Sequence, residues 1–399
     1  MIALDDDDFF LETRAAPEAA APAPLLAQTR SIGLKQSVVR WLPAVGSRAL
    51  ALAGSWDEPS NELSAWSVQV EASDEEDFAM TDGDAAPPMV LAANCVGSAR
   101  HAGCVLGLSV GSIGSRLVAF TASGTGGACC YTVDVGDEDA SITLQPQWSG
   151  MGAPAAGIAT LGVSYSEAAG GVCAVSEEGV LALLAVESGA VTWKAQTRDA
   201  ALFDVAWCAG LGASSVVTAG TTLGVWDMRA RSAAPQIVLS PSPGVEAHVA
   251  AALLCVAADA QPPYRLAAGA SDGSLHVWDV RASARSPADA AGGSVAGGGA
   301  IAPLRSLSQA HQSDVWGVHL GSGPHGQMLS CAGDGTLVAW SGLDLSADPA
   351  PEGRKKVAAR TLVQLSLPVN SLDLSSEHGL LASASDAQVL TFLDLRASA

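Results

Sequence analysis

Positive charge is scarce in this chain. Lysine and arginine together number 20 against 41 aspartates and glutamates, a formal net charge of −21. A protein that neutralises phosphates needs a basic footprint, so this balance excludes direct nucleic-acid binding and works against docking on anionic membrane surfaces. Long apolar runs are missing too. None reaches about 18 residues without a glycine or a charge, so no membrane-crossing helix is expected. The first ten residues hold Asp5 to Asp8 and no basic cluster, the reverse of a secretory leader. Asparagine occurs only at 61, 94 and 370, never in an N-x-S/T context. The eight cysteines (95, 104, 129, 130, 173, 208, 255 and 331) include no C-x-x-C pair, which removes zinc-ribbon and thioredoxin readings. Most lie in apolar runs such as Leu254-Cys255-Val256, where they read as small buried hydrophobes of a reducing compartment. Taken together, these features describe an intracellular chain. Aromatics make up only 5% of it, yet ten of the nineteen are Trp, so their placement is informative.

The 399 residues, 49% hydrophobic, suffice for two average domains or one large closed β architecture. The abundant alanine favours helix on propensity alone. Turn signals every eight to twelve residues override it. Runs of five to eight residues rich in Val, Leu and Ala are bounded by Gly, Asp, Ser and Pro, as at 48–54, 62–68, 216–220, 223–228, 265–269 and 274–280. Between them lie segments unable to form a core. Residues 1–28, with Ala21-Pro22-Ala23-Pro24, read as a disordered acidic tail, leaving 29–399 as the folded unit. Residues 71–88 carry acids and no base and read as a solvated loop; 282–300 are Gly/Ala/Ser-rich and read as a flexible loop. Arg354-Lys355-Lys356 is the one basic run, a loop tip.

A repeat organises the rest. A turn, a strand, an aromatic and an acid recur in Ser271-Asp272-Gly273-Ser274-Leu275-His276-Val277-Trp278-Asp279 and in Gly333-Asp334-Gly335-Thr336-Leu337-Val338-Ala339-Trp340. Ser385-Asp386-Ala387-Gln388-Val389-Leu390-Thr391-Phe392 follows the same plan, as do the stretches ending at Trp66 and Trp226; Tyr131 and Leu184 close weaker members. The anchors 66, 131, 184, 226, 278, 340 and 392 are 65, 53, 42, 52, 62 and 52 residues apart. A turn Asp precedes the aromatic by six residues at Asp272, Asp334 and Asp386. A His precedes it by 29 or 30 at His101, His248 and His311. This is the layout of a WD-repeat blade. Each blade alone exposes two apolar faces, and seven arranged radially bury both. The predicted fold is therefore an all-β, seven-bladed WD-repeat propeller. Its last repeat runs out after Leu395, and segment 30–35 is positioned to supply the missing strand and close the ring.

Motifs that would carry chemistry fit this repeat better than they fit a site. Gly269-Ala270-Ser271-Asp272-Gly273 matches the nucleophile elbow G-x-S-x-G, but a strand follows where the elbow needs a helix. Gly321-Ser322-Gly323-Pro324-His325-Gly326 matches G-x-G-x-x-G and is likewise followed by a strand, so pyrophosphate has no helix terminus to meet. Cys129 and Cys130 alternate faces and cannot both ligate one metal. In WD repeats the His, turn Asp, strand hydroxyl and Trp form a hydrogen-bonded set, so His101, His248 and His311 read as structural rather than catalytic. No catalytic residue, cofactor or metal is assigned.

Particular stretches resemble one family more closely. They are Arg40-Trp41-Leu42-Pro43, Gly54-Ser55-Trp56-Asp57-Glu58 and Leu63-Ser64-Ala65-Trp66 in the first blade, then Val225-Trp226-Asp227-Met228-Arg229 and Trp278-Asp279-Val280-Arg281. Ala310-His311-Gln312-Ser313-Asp314-Val315-Trp316 and Leu367-Pro368-Val369-Asn370-Ser371-Leu372-Asp373 continue the likeness. The chain resembles the small WD-repeat propeller nucleoporin of the Y-shaped nuclear pore scaffold, the forty-three-kilodalton member. The resemblance covers roughly 36–395 and is weakest over 89–200, read as dominated by loops. It implies a non-enzymatic scaffold subunit at the nuclear envelope, held by other nucleoporins beside the short-arm α-solenoid, supporting mRNA export and protein import. A general WD-repeat adaptor, such as a ubiquitin-ligase substrate receptor or a vesicle-tether subunit, is the alternative. Trp56 and Trp316, neither of them at a repeat anchor, are the exposed aromatic candidates for partner contact or for filling gaps between blades.

Overall fold

Short apolar runs broken by turn residues cannot satisfy their backbone groups except by pairing with one another. In the computed structural model they do so in seven four-stranded antiparallel sheets. The structure describes residues 25–396 apart from 45, 47, 73–88, 149–157, 209–210, 213, 243–249, 259–263, 282–299, 322–327 and 344–356. Blades 1 to 6 are each contiguous, at 36–101, 105–144, 160–196, 204–239, 253–307 and 315–364, and their strands lie in chain order from the innermost outward. Blade 7 combines three strands from 369–394 with the N-terminal strand Leu26–Ser31. Among the described residues there is no α-helix; Pro146–Trp148 is a 3-10 turn.

Ring closure is antiparallel. Leu26 pairs with Asp394 and Ser31 with Val389, and the Ile32 amide continues the ladder to the Gln388 carbonyl. The closing strand therefore starts at Leu26. Residues 26–28, read from sequence as tail, belong to the sheet, and residues 1–24 lie outside the described ones. Two further expectations change. The first blade's outer hairpin is longer than its apolar pattern suggested: Asn61–Ala72 pairs with Met89–His101 as far as Ala72↔Met89, so Glu71 stands in a strand and not in the loop. The stretch 89–200 is largely strand, with nine strands from Met89–His101 to Val191–Gln196. Its weak anchors Tyr131 and Leu184 disguised them.

The core is a set of slabs between neighbouring blades rather than one centre. Trp41, Trp66 and Phe392 join blades 7 and 1 at ring distances of 6.0 and 6.5 Å. Leu63, Val105 and Tyr131 lie between blades 1 and 2; Phe120, Trp148 and Val172 lie between blades 2 and 3. Cys129 and Cys130 contribute to different slabs, as alternation demands. Close approach is built in at equivalent points. A Cβ on Gly54 would lie 2.5 Å from Val105, and one on Gly269 would lie 2.3 Å from Val315. Both glycines end a second strand where the next blade's first strand presses in.

Deletion of residues 1–33, which removes the closing strand and exposes Phe392, is expected to lower the thermal midpoint by more than about 5 °C. An unchanged midpoint in a differential scanning measurement would show that closure does not stabilise the ring.

Candidate functional site: blade anchors and the central channel

All seven sequence anchors fall on the third strand of a blade and are buried. The complete hydrogen-bonded set forms in blade 6. His311 Nε2 meets Ser330 Oγ at 2.7 Å, and its Nδ1 meets Thr336 Oγ1 at 2.9 Å and Asp334 at 3.1 Å; Trp340 Nε1 donates to the same Ser330 Oγ at 2.8 Å. Asp334 also accepts the amides of Gln312 and Thr336. Burial works against its charge, but the Thr336 hydroxyl and these amides outweigh it, and the carboxyl ends below its ordinary value. Burial likewise holds the His311 imidazole below its ordinary value, against the pull of Asp334. A ring this engaged has neither the exposure nor the free nitrogen of a general base.

The other blades keep parts of the set. At blade 2, His101 from the end of blade 1's fourth strand meets Thr121 Oγ1 at 2.9 Å and the Gly103 carbonyl at 2.9 Å, stacked on Tyr131. In blade 4, Trp226 donates to Thr218 Oγ1 on the neighbouring strand, whereas in blade 1 Trp66 donates to Ser64 Oγ, two residues earlier on its own strand. Blade 5 departs from the expectation. Ala268 stands where blade 6 has Ser330, and His276 stands opposite it where blade 6 has Val338. Asp272 accepts from the Ser274 hydroxyl as Asp334 does from Thr336, but with the strand hydroxyl gone Ser274 meets His276 at 2.8 Å, and Trp278 Nε1 donates instead to the Ile301 carbonyl at 3.2 Å. His248 lies outside the described residues. Asp386 meets no His; its Oδ1 accepts from Trp56 Nε1 at 2.9 Å and Asn370 Nδ2 at 2.7 Å, which ties blade 7 to blade 1.

Two signals escaped sequence reasoning. Trp148, fully buried in the connection after blade 2, donates to the Val186 carbonyl and packs on Phe120 at 5.1 Å, supplying the aromatic that blade 3 lacks at Leu184. Gly189, at φ +68, lies against its indole, leaving no room for a side chain. The second is an inner belt. Each first strand has an edge toward the axis with no further strand to pair, and in blades 1, 3, 4 and 5 side chains of the preceding blade reach its amides. Asp373 accepts from the Trp41 amide, Ser109 from Tyr165, and Asp204 from Val256.

The motifs resolve into repeat geometry. Gly269 is the close-approach glycine, Gly273 takes φ +80 in the turn, and strands precede and follow. Ser271 Oγ accepts the Ala252 amide. The G-x-G-x-x-G stretch joins two strands, and residues 322–327 lie outside the described ones. Among the described residues no cluster of His, Cys, Asp and Glu could hold a metal ion. Trp56 and Trp316 do converge: both line a cavity of about 300 Å³ at one mouth of the central channel, with Arg40, Asp204 and Asp386.

Comparison with known proteins agrees with the repeat. The family described as WD domain, G-beta repeat matches residues 241–279 and 302–341. The curated protein Nucleoporin Nup43 of mouse is 28% identical over 339 residues, covering 80% of this chain and 76% of its own length. Its human counterpart is 27% identical over 337 residues, covering 79% and 75%. This chain is a WD-repeat β-propeller similar to the nucleoporin Nup43. Among solved structures, the WD40 β-propeller domain of Doa1 superposes with a TM-score of 0.59 over 93% of this chain and 97% of that one, at 16% identity, a likeness of fold alone.

Trp278→Ala is expected to cost about 3–5 kcal/mol, as for large buried aromatics, and Ser330→Ala about 2–4 kcal/mol because two buried partners lose their hydroxyl. Chemical denaturation of both variants checks this; wild-type midpoints would mean that the anchors carry no stability. The histidines add a pH dependence. His101, His276 and His311 are each pushed below 6.5 by burial. The unfolded chain then binds more protons as pH falls below 6.5, so their contribution is present above that pH and is lost below it. Asp204 is raised by burial and runs the other way, its contribution full below 3.8 and fading as pH rises. The fall in unfolding free energy between pH 7 and 5 is therefore expected to be smaller in His311→Gln than in wild type; equal slopes would remove the imidazole from the account.

Proposed function

We propose that this chain is a non-enzymatic scaffold subunit of the nuclear pore complex. The observation that carries the reading is the similarity to Nucleoporin Nup43 over 339 residues, which extends across most of the ring and is not confined to one repeat. In its finer form, the propeller sits in the outer-ring Y complex beside the short-arm α-solenoid subunit, bound to other nucleoporins at the nuclear envelope. It supports mRNA export and protein import through the assembly it stabilises. The mechanism is rigid presentation. Blades locked by buried hydrogen bonds hold their loops and outer edges at fixed geometry for a helical partner. The engagement of His101, His276 and His311 in structural bonds supports this over catalysis.

The cavity at the channel mouth favours a second reading, a WD-repeat adaptor such as a ubiquitin-ligase substrate receptor or a vesicle-tether subunit. A fluorescent fusion separates the two: a punctate rim at the nuclear envelope, with nucleoporins recovered on affinity purification, is the expected result. Ligase or tether subunits recovered without nucleoporins would replace the scaffold reading by the adaptor one.

A further inference from the structure

The outermost strand of each blade ends a sheet and leaves a row of N–H and C=O groups with no further strand to join. Six of the seven such strands carry a device that discourages pairing. Arg30, Lys194, Arg305 and Arg360 place a base in the outer strands of blades 7, 3, 5 and 6. Blade 4 ends in Ile237–Leu239, which the chain itself covers: the Ile301 amide donates to the Val238 carbonyl, and the Ile301 carbonyl accepts from Ser240. Blade 2 ends in Ala140–Leu144, a strand of five residues directly after Asp137, Glu138 and Asp139.

Blade 1 differs. Its outer strand, Met89–His101, is 13 residues long and holds no charge and no Pro from Met89 to Ala99. A bulge opposite Ala65 and Trp66, and the Ala140 carbonyl lying against Gly97, close its second half. The first half is open. The second strand of the blade reaches only to Ala49↔Val68, so Gln69–Ala72 and Met89–Ala92 continue beyond it as a two-stranded arm. Such a ribbon is marginal without support. One face has that support, because Leu91 and Ala93 are buried with Ile32 and Val70 against blade 7. The edge does not. The Ala93 carbonyl accepts from Arg30 Nε at 2.7 Å, and among the described residues no other group outside the blade bonds the backbone of Met89–Asn94. Met89 is 47% and Val90 41% exposed.

A long, apolar, uncharged edge is a template for an added strand. The register says what kind of strand. Val70 pairs with Leu91 and Ala72 with Met89, so one face of the arm is apolar; Glu71 pairs with Val90 and Gln69 with Ala92, so the other carries an exposed carboxylate. Successive side chains of an incoming strand fall on these two faces in turn. A second copy of this chain brings the same glutamate and a further net charge of −21, which opposes self-pairing. We propose that Met89–Asn94 is a strand-addition edge for an extended segment of a partner protein in which aliphatic residues, set on the face of Leu91, alternate with Lys or Arg, set on the face of Glu71. Arg30 holds the Ala93 carbonyl until an incoming N–H takes it. The edge is independent of the nucleoporin reading and can fail or stand without it.

The test uses the full chain and three pools of synthetic decapeptides. The first alternates Lys with positions randomised among Val, Ile, Leu and Thr. The second is the same pool N-methylated throughout, which keeps side chains and charge and removes the backbone donors. The third has Glu in place of Lys. The first pool is expected to be retained at least about tenfold more than either of the others, a ratio that one or two hydrogen bonds account for. Val90→Lys puts a charge on the open edge and is expected to abolish the preference at an unchanged thermal midpoint. Val191→Lys, at an exposed position on the outer strand of blade 3, is expected to leave the preference intact. Equal retention of the plain and N-methylated pools, preference for Glu, no retention of any pool at about 1 mM, or equal effects of the two variants would overturn the proposal. So would a dimer in light scattering that Val90→Lys dissolves, which assigns the edge to a second copy. A gain in retention of about tenfold on deleting residues 1–24 would likewise overturn it, by assigning the edge to the chain's own N-terminal segment.

Discussion

The first strand of every blade poses a problem that strand pairing cannot solve. It is the innermost strand of its sheet, so one row of its amides and carbonyls looks toward the axis with no ladder to join. Buried backbone groups without partners are costly. In blades 1, 3, 4 and 5 the preceding blade supplies a partner. The Asp373 carboxylate takes the Trp41 amide at 2.7 Å, Ser109 takes that of Tyr165, and Asp204 takes that of Val256. Side chains also donate outward to the next blade, as Asn370 does to the Gln36 carbonyl and Ser37 to that of Val105. Each bond needs the neighbouring blade in place, so blade order and spacing are fixed by hydrogen bonding at the centre as well as by apolar contact further out.

This belt explains how the outer parts can vary. Blade 6 has the whole His–Asp–hydroxyl–Trp set, blade 5 exchanges a hydroxyl for Ala268 and compensates with His276, and blade 3 has no aromatic anchor and borrows Trp148 from a connection. None of these changes alters the number of strands per blade. A carboxylate and an arginine two residues on, as in Asp227–Arg229, Asp279–Arg281 and Asp394–Arg396, then finish the third strand in blades 4, 5 and 7. The blade 4 pair is largely exposed and contributes little energy, whereas in blades 5 and 7 the arginine supplies a partner to a buried carboxylate. The role of all three is to terminate the strand in a repeated way.

The strands and anchors were legible because their signal is local. A turn, five alternating residues and a Trp-Asp pair lie within ten positions, and Trp226, Trp278 and Trp340 stand out in a chain with few aromatics. Where the anchor was Tyr131 or Leu184, the same strands were hidden among apolar residues, and 89–200 read as loops. The belt was not legible at all. Its bonds join residues such as Trp41 and Asp373, separated by 332 positions, and a single Ser or Asp on a strand looks like any other. Trp56 and Trp316 could be picked out as aromatics off the repeat, but their convergence on one cavity depends on closure of the ring. Ile301, just beyond the Gly/Ala stretch, lies beside Leu239 at the edge of blade 4 and accepts from Trp278, a placement that no local pattern announces.

The pairing of Leu26–Ser31 with Val389–Asp394 has a consequence for how the molecule is made. Thr29 and Thr391, in contact across this ladder, are 362 residues apart in the chain. At a translation rate of about 5–20 residues per second, the Leu26–Ser31 strand waits roughly 20–70 s for its partner. During that interval Phe392 has yet to be made, and the N-terminal strand remains an open template for the wrong neighbour. The nascent ring is thus a ladder with both ends unbuttoned until Asp394 has been made, and the strand at Leu26–Ser31 needs shielding until then.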